Sequence, residues 1–411
     1  MAKLRTSIRE QLLNKINQRA SWRWAKRGLY FLLFIGAFAN FIANDKPYYC
    51  EYKGEWHSPL FKAIAVDLGL SKWPTDQVNL RWYEVDLEND YWPPVAYRPE
   101  QINIYQKFQS PFDDQKVERW QFRHMLGTDS LGHDTLAGLI WGTRFALIIG
   151  LASMLIATII GLFLGSMAGF FGNDRWITSR AQRIGGVIGL ILGLYGGLMV
   201  RRPLLDEGRL AFYYIGALGL IISLTVLGSY IGRRLFPRSG HMRALPVDDL
   251  VMRAIETLTA IPALLLLLSI VAIIQRPSVL SITLIIGLLG WTGIARFVRG
   301  ELLRVRSLEY MQATKVMGLP PVRALFRHAL PNAMGPVYVA IAFGVAGAIL
   351  VEAGLSFIGI GVPADLVTWG KLLRNARTSA DAWWLAIFPG LMLFLTITVF
   401  NLLGEAVSEE T

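Results

Sequence analysis

The chain carries a single cysteine, Cys50, among 411 residues, which excludes an internal disulfide framework and any thiolate cluster for a metal. Histidine is nearly as scarce. His57, His124, His133, His241 and His328 form no His-x-x-x-His pair, there is no Cys-x-x-Cys, and no Gly-x-x-x-x-Gly-Lys-Ser/Thr phosphate loop is present. The sequence thus implies no metal, no cofactor and no ATP hydrolysis by this chain alone. Charge is also thin, at 17% of residues against 53% hydrophobic ones, with a mean hydropathy of +0.41. That is too apolar for an ordinary soluble enzyme.

What the chain has instead is long apolar runs that approach the ~20 residues needed to cross a bilayer. There are eight: Gly28 to Asn44, Arg144 to Phe171, Gly185 to Val200, Ala211 to Gly232, Thr257 to Ile274, Val279 to Ala295, Gly335 to Gly359 and Trp384 to Gly404. They predict an all-α polytopic membrane protein of about eight spans. Intramembrane acids, which mark ion or proton routes, are few: Glu352 near the outer end of its span, with Glu256 and Glu405 at borders. An ion-coupled secondary transporter, the alternative reading, needs such a group near mid-membrane, and no inverted repeat is visible. Glu352 reads as an interfacial or structural hydrogen-bonder.

The net charge of +11 is distributed over short loops between apolar runs, which points to membrane orientation and not to nucleic acid. Residues 1–27 hold eight basic residues (Lys3, Arg5, Arg9, Lys15, Arg19, Arg23, Lys26, Arg27), and residues 296–334 hold seven (Arg296, Arg299, Arg304, Arg306, Lys315, Arg323, Arg327). The excess of Lys and Arg in cytoplasmic loops places both segments inside. With eight spans they fall on one side, together with the Arg-containing turns 172–184 and 233–256, and both termini are cytoplasmic. A 27-residue basic leader is long for a signal peptide, so the first span is read as an uncleaved anchor.

One cytoplasmic stretch stands out as polar and basic between apolar runs: SLEYMQATKVMGLPPVRALFRHALPN, Ser307 to Asn332. Tyr310 to Met317 can form about two helical turns, Gly318 suits a helix end, and Pro320-Pro321 blocks continuation while suiting the first turn of a second helix. Tyr310, Ala313 and Met317 then share one face, where small Ala313 allows close approach. On helical pattern alone, a surface helix lying on lipid headgroups is an equal reading.

QATKVMG, Gln312 to Gly318, followed by HALP, His328 to Pro331, resembles the EAA loop of bacterial ABC importer permeases. The wider stretches EYMQATKVMG and RHALPNAMGPV are similar to the peptide and nickel branch. Gln312 stands where that loop has its name-giving Glu, and Thr314 replaces the second Ala, so no specific salt bridge is implied there. HMLGTDSLGHDTLAGLIWGTRFAL, His124 to Leu147, resembles the Gly-Thr-Asp-x-x-Gly-Arg-Asp segment of the C-type permease, with His133 in place of Arg. VEAGLSFIGIGVPADLVTWGKLL, Val351 to Leu373, is similar to that family's fifth-span exit and Trp-Gly loop. NDKPYYCEYKGEWHSPLFK, Asn44 to Lys62, and YWPP, Tyr91 to Pro94, are closest in feel to the Yej-type peptide permease. The resemblance covers the first 172 residues and about 247–404.

The resemblance implies a type I ABC importer transmembrane domain in a bacterial inner membrane, importing peptides or related small solutes. Implied partners are a second permease subunit, two ABC ATPase subunits and an extracytoplasmic substrate-binding protein, in the lipid bilayer. The ATPase-coupling loop, within 296–334, would use Glu309, Tyr310, Gln312, Ala313, Thr314, Gly318, Leu330, Pro331 and Asn332. Because that family has six spans, residues 173–247 are expected to be an inserted hairpin. Its first helix carries Gly185, Gly189, Gly193 and Gly197 at intervals of four, a ridge for close packing. The remaining divisions are 1–44 (basic tail and first span), 45–143 (an extracytoplasmic loop domain), 144–172 (second span) and 248–411 (permease core). The loop domain has ten Lys/Arg against fifteen Asp/Glu, with Trp56, Trp73, Trp82, Trp92 and Trp120 spread along it. It is too long and aromatic for a plain linker, and either a dock for the binding protein or an interfacial belt would account for the tryptophans.

Overall fold

The computed structural model describes residues 20–408 apart from 76, 79, 116, 118, 174–176, 198–209, 236–242, 275–276, 364–365 and 380. The tail before residue 20, the turn at 201–209 and the basic run at 236–242 therefore lie outside the described residues. The chain divides into two compact units, Met1–Gly165 with Thr257–Thr411, and Ser166–Glu256.

The first unit opens with α1, Ala20–Ile42, which starts eight residues before the expected Gly28. The added turns hold tryptophans and cations, with the Arg27 guanidinium 5.7 Å from the Trp24 ring and Lys26 Nζ 5.7 Å from the Tyr30 ring. Such side chains lay apolar stems along a helix and keep their charges in the headgroup region. The chain then folds a small cap from β1 (Tyr49–Tyr52), β2 (Glu55–His57), α2 (Pro59–Asp67) and β3 (Glu88–Tyr91), with the antiparallel sheet ordered β2-β1-β3. This sheet is the departure from an all-α chain. Cys50, Trp82, Trp92 and Ala96 form the cap's core, with Trp73 and Phe122 packed against it. Three of the five tryptophans thus serve a hydrophobic core, an explanation that neither docking nor a belt supplied, while Trp56 and Trp120 are exposed. Burial, and secondly Asp90, pushes the Cys50 thiol up to about 11.

Helix α3, Thr135–Ser166, continues as a π turn through Phe171. It begins nine residues before the expected Arg144, because Asp134 Oδ1 caps it by accepting from the Ala137 N–H at 2.6 Å. Arg144 lies inside the helix and not at its start. Its guanidinium donates to the carbonyls of Gly36 (2.7 Å) and Ala37 (3.1 Å) and to Asn40 Oδ1 (2.7 Å), so a charge read as an end is a tie between α3 and α1. The helix thus starts inside the stretch 45–143 expected to form the loop domain.

The second unit is built around α4, Arg180–Tyr195, and α5, Leu210–Leu235, with a two-residue pairing of β4 (Ile177–Thr178) and β5 (Arg243–Ala244) at the base. The glycine ridge of α4 lies against α5 at backbone distance. A β-carbon on Gly185 would fall 2.1 Å from the Gly228 carbonyl oxygen, and one on Gly189 2.0 Å from that of Leu224. Ile184, Val187, Ile188 and Ile191 point away, exposed. At 16 residues α4 is roughly 24 Å long, short of the ~30 Å hydrocarbon core.

Helix α6, Val247–Thr259, and α7, Ala263–Ile273, put a break inside the span expected at 257–274, because Pro262 cannot continue a helix. Next is α8, Val279–Ser307, which runs twelve residues past Ala295. Arg296, Arg299, Arg304 and Arg306 therefore lie on a helix and not in a loop; Val298, Leu302 and Val305 keep a buried stripe along it, and Arg304 pairs with Glu301 at 2.8 Å. Then come α9 (Glu309–Val316), α10 (Pro321–Ala324), a π turn (Leu325–Ala329) and α11 (Leu330–Ile358). The last three form one unbroken helical stretch, so the second half of the motif is the inner end of a span whose expected start was Gly335. Helices α12, Trp369–Asn375, and α13, Trp384–Ser408, complete the unit.

Among the described residues, five helices are long and apolar enough to cross a membrane, and α6 with α7 makes a sixth if that broken pair counts as one. The protein is a predominantly helical, multi-pass membrane protein.

Candidate functional site

The loop between α8 and α11 is built from strictly local chemistry. Leu308 adopts an extended conformation (φ −70°, ψ 147°) that breaks α8 for a single residue before α9 begins. Met317 caps α9, and Gly318 follows at φ +67°, the left-handed region open to glycine. The Gly318 N–H donates to the Lys315 carbonyl (3.0 Å) and the Leu319 N–H to that of Thr314 (3.1 Å), the paired bonds of a Schellman ending. Pro320 then stops the helix, and Pro321 occupies the first turn of α10.

Every residue predicted for the loop can be located. Thr314 is buried, donating to the Met311 carbonyl at 2.7 Å, and Met311 beside it is 2% exposed. These two form the face of α9 held by this chain. Glu309, Tyr310, Gln312, Ala313 and Gly318 are exposed. Gln312 Oε1 accepts from Lys315 Nζ at 3.2 Å. Leu330, half-buried, and Pro331, exposed, start α11. Asn332 Nδ2 donates to the Tyr310 hydroxyl at 3.1 Å and to the His328 carbonyl at 2.6 Å. The structure thereby joins the two halves of the motif across 22 residues.

Three exposed apolar residues were missed from the sequence. Val316 is 89% exposed, Val322 57% and Phe326 64%; with Tyr310 and Met317 they leave the loop with an apolar surface that this chain does not cover. The i, i+4 spacing of Val322 and Phe326 on the second helix was the available signal.

At the opposite end of the same unit, the segment leading into α3 is a polar clamp. Asp129 accepts from the N–H groups of Leu131 (2.9 Å) and His133 (3.0 Å), from His133 Nδ1 (2.8 Å) and from Asn375 Nδ2 (2.8 Å). Burial opposes ionisation here, but the hydrogen bond and charge of His133, then the backbone N–H groups, hold the Asp129 carboxyl below its usual range. His124 is fully buried between Asp134 Oδ2 and Gln106 Oε1, both at 2.8 Å, and stacks on Tyr97 at 4.3 Å. Trp384 Nε1 donates to the Thr128 carbonyl at 3.0 Å, tying α13 to the clamp.

Two cavities lie between these ends. The one nearer the α9 loop, called inner for that reason alone, is about 690 Å³ and is lined mostly by apolar positions of α3, α7, α8 and α11, among them Met154, Leu267, Ile294, Pro336 and Phe343. The outer one, about 740 Å³, is lined by Val271, Ser278, Ser356, Gly359, Lys371 and Arg374 among others. Glu352 sits behind Ser356, nearly fully buried, with its carboxyl accepting a hydrogen bond from the Ser356 hydroxyl at 2.7 Å. Among the described residues, no group of three or more His, Cys, Asp or Glu side chains is placed to hold a metal.

Comparison with known proteins places this architecture. Residues 226–410 match the family described as "binding-protein-dependent transport system inner membrane component". The inner membrane ABC transporter permease protein YejE of Escherichia coli is 25% identical over 411 residues, 97% of each chain. The dipeptide transport system permease protein DppC of Bacillus subtilis is 26% identical, over 70% of this chain and 67% of its own. The di/tripeptide transport system permease protein DppC of Pseudomonas aeruginosa is 28% identical, over 71% and 73%.

Proposed function

We propose that the chain, with residues 226–410 matching a binding-protein-dependent transport component and with peptide permeases among its relatives, is an ABC importer permease that forms half of the membrane passage of a bacterial inner-membrane importer for peptides or related small solutes. Its partners are a second permease, two ATPase subunits that carry out all ATP hydrolysis, and an extracytoplasmic binding protein. Both termini and the loop after α8 face the cytoplasm, and residues 173–247 are an insertion into the permease core. The observation that carries this reading is the uncovered apolar surface of the loop at Tyr310, Val316, Met317, Val322 and Phe326. Large apolar side chains grouped on a water-facing segment mark a protein interface.

Local geometry supports a lever. Only Leu308 separates α9 from α8, and the Tyr310–Asn332 hydrogen bond ties α9 to the start of α11. Both long helices line the inner cavity. A push on α9 from a closing ATPase pair is therefore transmitted to two walls of the passage, which is how binding and release of ATP would alternate its access. Co-purification in mild detergent tests this: ATPase subunits are expected with the tagged chain at a fixed ratio, and recovery without any ATPase contradicts the proposal.

A further inference from the structure

We propose that the outer cavity binds the carboxylate of the transported solute through Arg374 and Lys371, an inference that rests on the orientation and solute class proposed above. The two cavities follow one another along the same helices. On α7 the inner one uses Ala263 and Leu267 and the outer one Val271 and Ala272; on α11 the inner one runs from Pro336 to Val351 and the outer one begins at Ser356. Helix α8 repeats the order in the opposite chain direction, from Phe297 and Ile286 inside to Ser278 outside. Between them lies a packed apolar belt of Leu267, Val271, Ile282, Ile286, Ala348 and Leu355. Inner cavity, apolar belt and outer cavity are thus the successive stages of one passage, closed at the belt.

The outer stage differs chemically. Its volume is ample for a short peptide. Two cations of α12 line this cavity, joined by the hydroxyls of Ser278 and Ser356. None of its described lining residues is acidic, and the Glu352 carboxyl behind Ser356 accepts from the Ser356 hydroxyl. An anion leaving water needs a charge-assisted partner, and a guanidinium meets a carboxylate with two parallel hydrogen bonds. Arg374 also lies beside the end of α11, its Nη1 3.1 Å from where a Gly359 β-carbon would stand, and Lys371 Nζ donates to the Leu366 carbonyl at 3.2 Å and borders the crevice of Asp129 and His133. A purely structural role as a helix-end cation is therefore the rival explanation.

The test uses the detergent-solubilised permease–ATPase complex without its binding protein, titrated with N-terminally dansylated trialanine and with the same peptide as its C-terminal amide. The wild-type complex is expected to bind the free acid at least tenfold more tightly than the amide, as one lost charge-assisted hydrogen bond costs roughly that factor. Arg374→Gln should abolish this difference and Lys371→Gln should reduce it, with amide affinity unchanged and Arg374→Lys restoring part of it. Equal binding of acid and amide by the wild type, an equal loss of both in Arg374→Gln, or no binding of either overturns the proposal. If the arginine-dependent difference vanishes only when phosphatidylglycerol is added, a lipid phosphate holds the site and the solute assignment falls. An ATPase that co-purifies while no peptide binds leaves the permease reading standing; failure to recover the ATPase sinks that reading instead.

Discussion

The two ends of the larger unit solve opposite problems. At the outer end, Thr128, Asp129, His124 and Asp134 are polar, buried and satisfied by partners within the chain. At the inner end, Val316, Met317, Val322 and Phe326 are apolar and uncovered. Buried polar groups must be paired to be tolerated, so the outer end is a finished clamp that holds cap, α3 and α13 in fixed positions. Exposed apolar groups are tolerated when another protein covers them, so on the proposed reading the inner end is half of an interface. A lever needs both: one fixed end and one end that something else moves.

This contrast predicts effects of very different size. The largest belongs to the inner end. Ala313→Glu would put a charge into the proposed interface, and Gly318→Pro cannot adopt φ +67°, since proline is held near −65°. Uptake of labelled substrate should fall by about 100-fold or more in either variant, with the amount of chain in the membrane unchanged by immunoblot. Normal uptake at normal levels means that the loop does not couple.

At the outer end, Asp129→Asn should cost about 2 kcal/mol of stability, since a buried, four-fold hydrogen-bonded carboxylate is lost. The sign with pH follows from the lowered carboxyl pKa. A carboxyl whose folded pKa is depressed stabilises fully above its unfolded value, about 4, and loses that contribution as pH falls through the folded value. Thermal unfolding in detergent should therefore show the full difference between wild type and variant at pH 7 and pH 5, and a smaller one near pH 3. A difference that already fades between pH 7 and pH 5 argues that the clamp depends on another group. The smallest effect is expected for Tyr310→Phe, which removes a solvent-exposed bond to Asn332. Stability should change by about 0.5 kcal/mol or less, while ATPase activity becomes less dependent on substrate, read as the ratio of stimulated to basal hydrolysis.

The same contrast explains what could be read from the sequence. The α9 ending was legible because it depends on adjacent residues: Gly318 for a left-handed cap, Pro320 and Pro321 for the stop and restart. The glycine ridge on α4 was legible from its interval of four. Charge was the misleading signal. Arg144 was read as a span boundary but finds Gly36 and Asn40 over a hundred residues away, and the arginines after Ala295 extend α8 instead of ending it. The cap's small sheet and its Trp82–Trp92 core were hidden because both depend on residues about forty positions apart. The Tyr310–Asn332 bond, the apolar surface of Phe326 and the two stacked cavities likewise exist only after distant segments meet.

The most direct test of the coupling interface is the accessibility of residue 316. Cys50 is fully buried with its thiol pushed up to about 11, so the wild-type chain should be almost silent toward maleimides at pH 7 and a new cysteine can be followed alone. In inside-out vesicles carrying Val316→Cys, labelling by a polar maleimide should be rapid after the ATPase subunits are stripped and at least tenfold slower when they are restored. Equal rates with and without the ATPase would mean that the uncovered face of the loop is not where the motor binds.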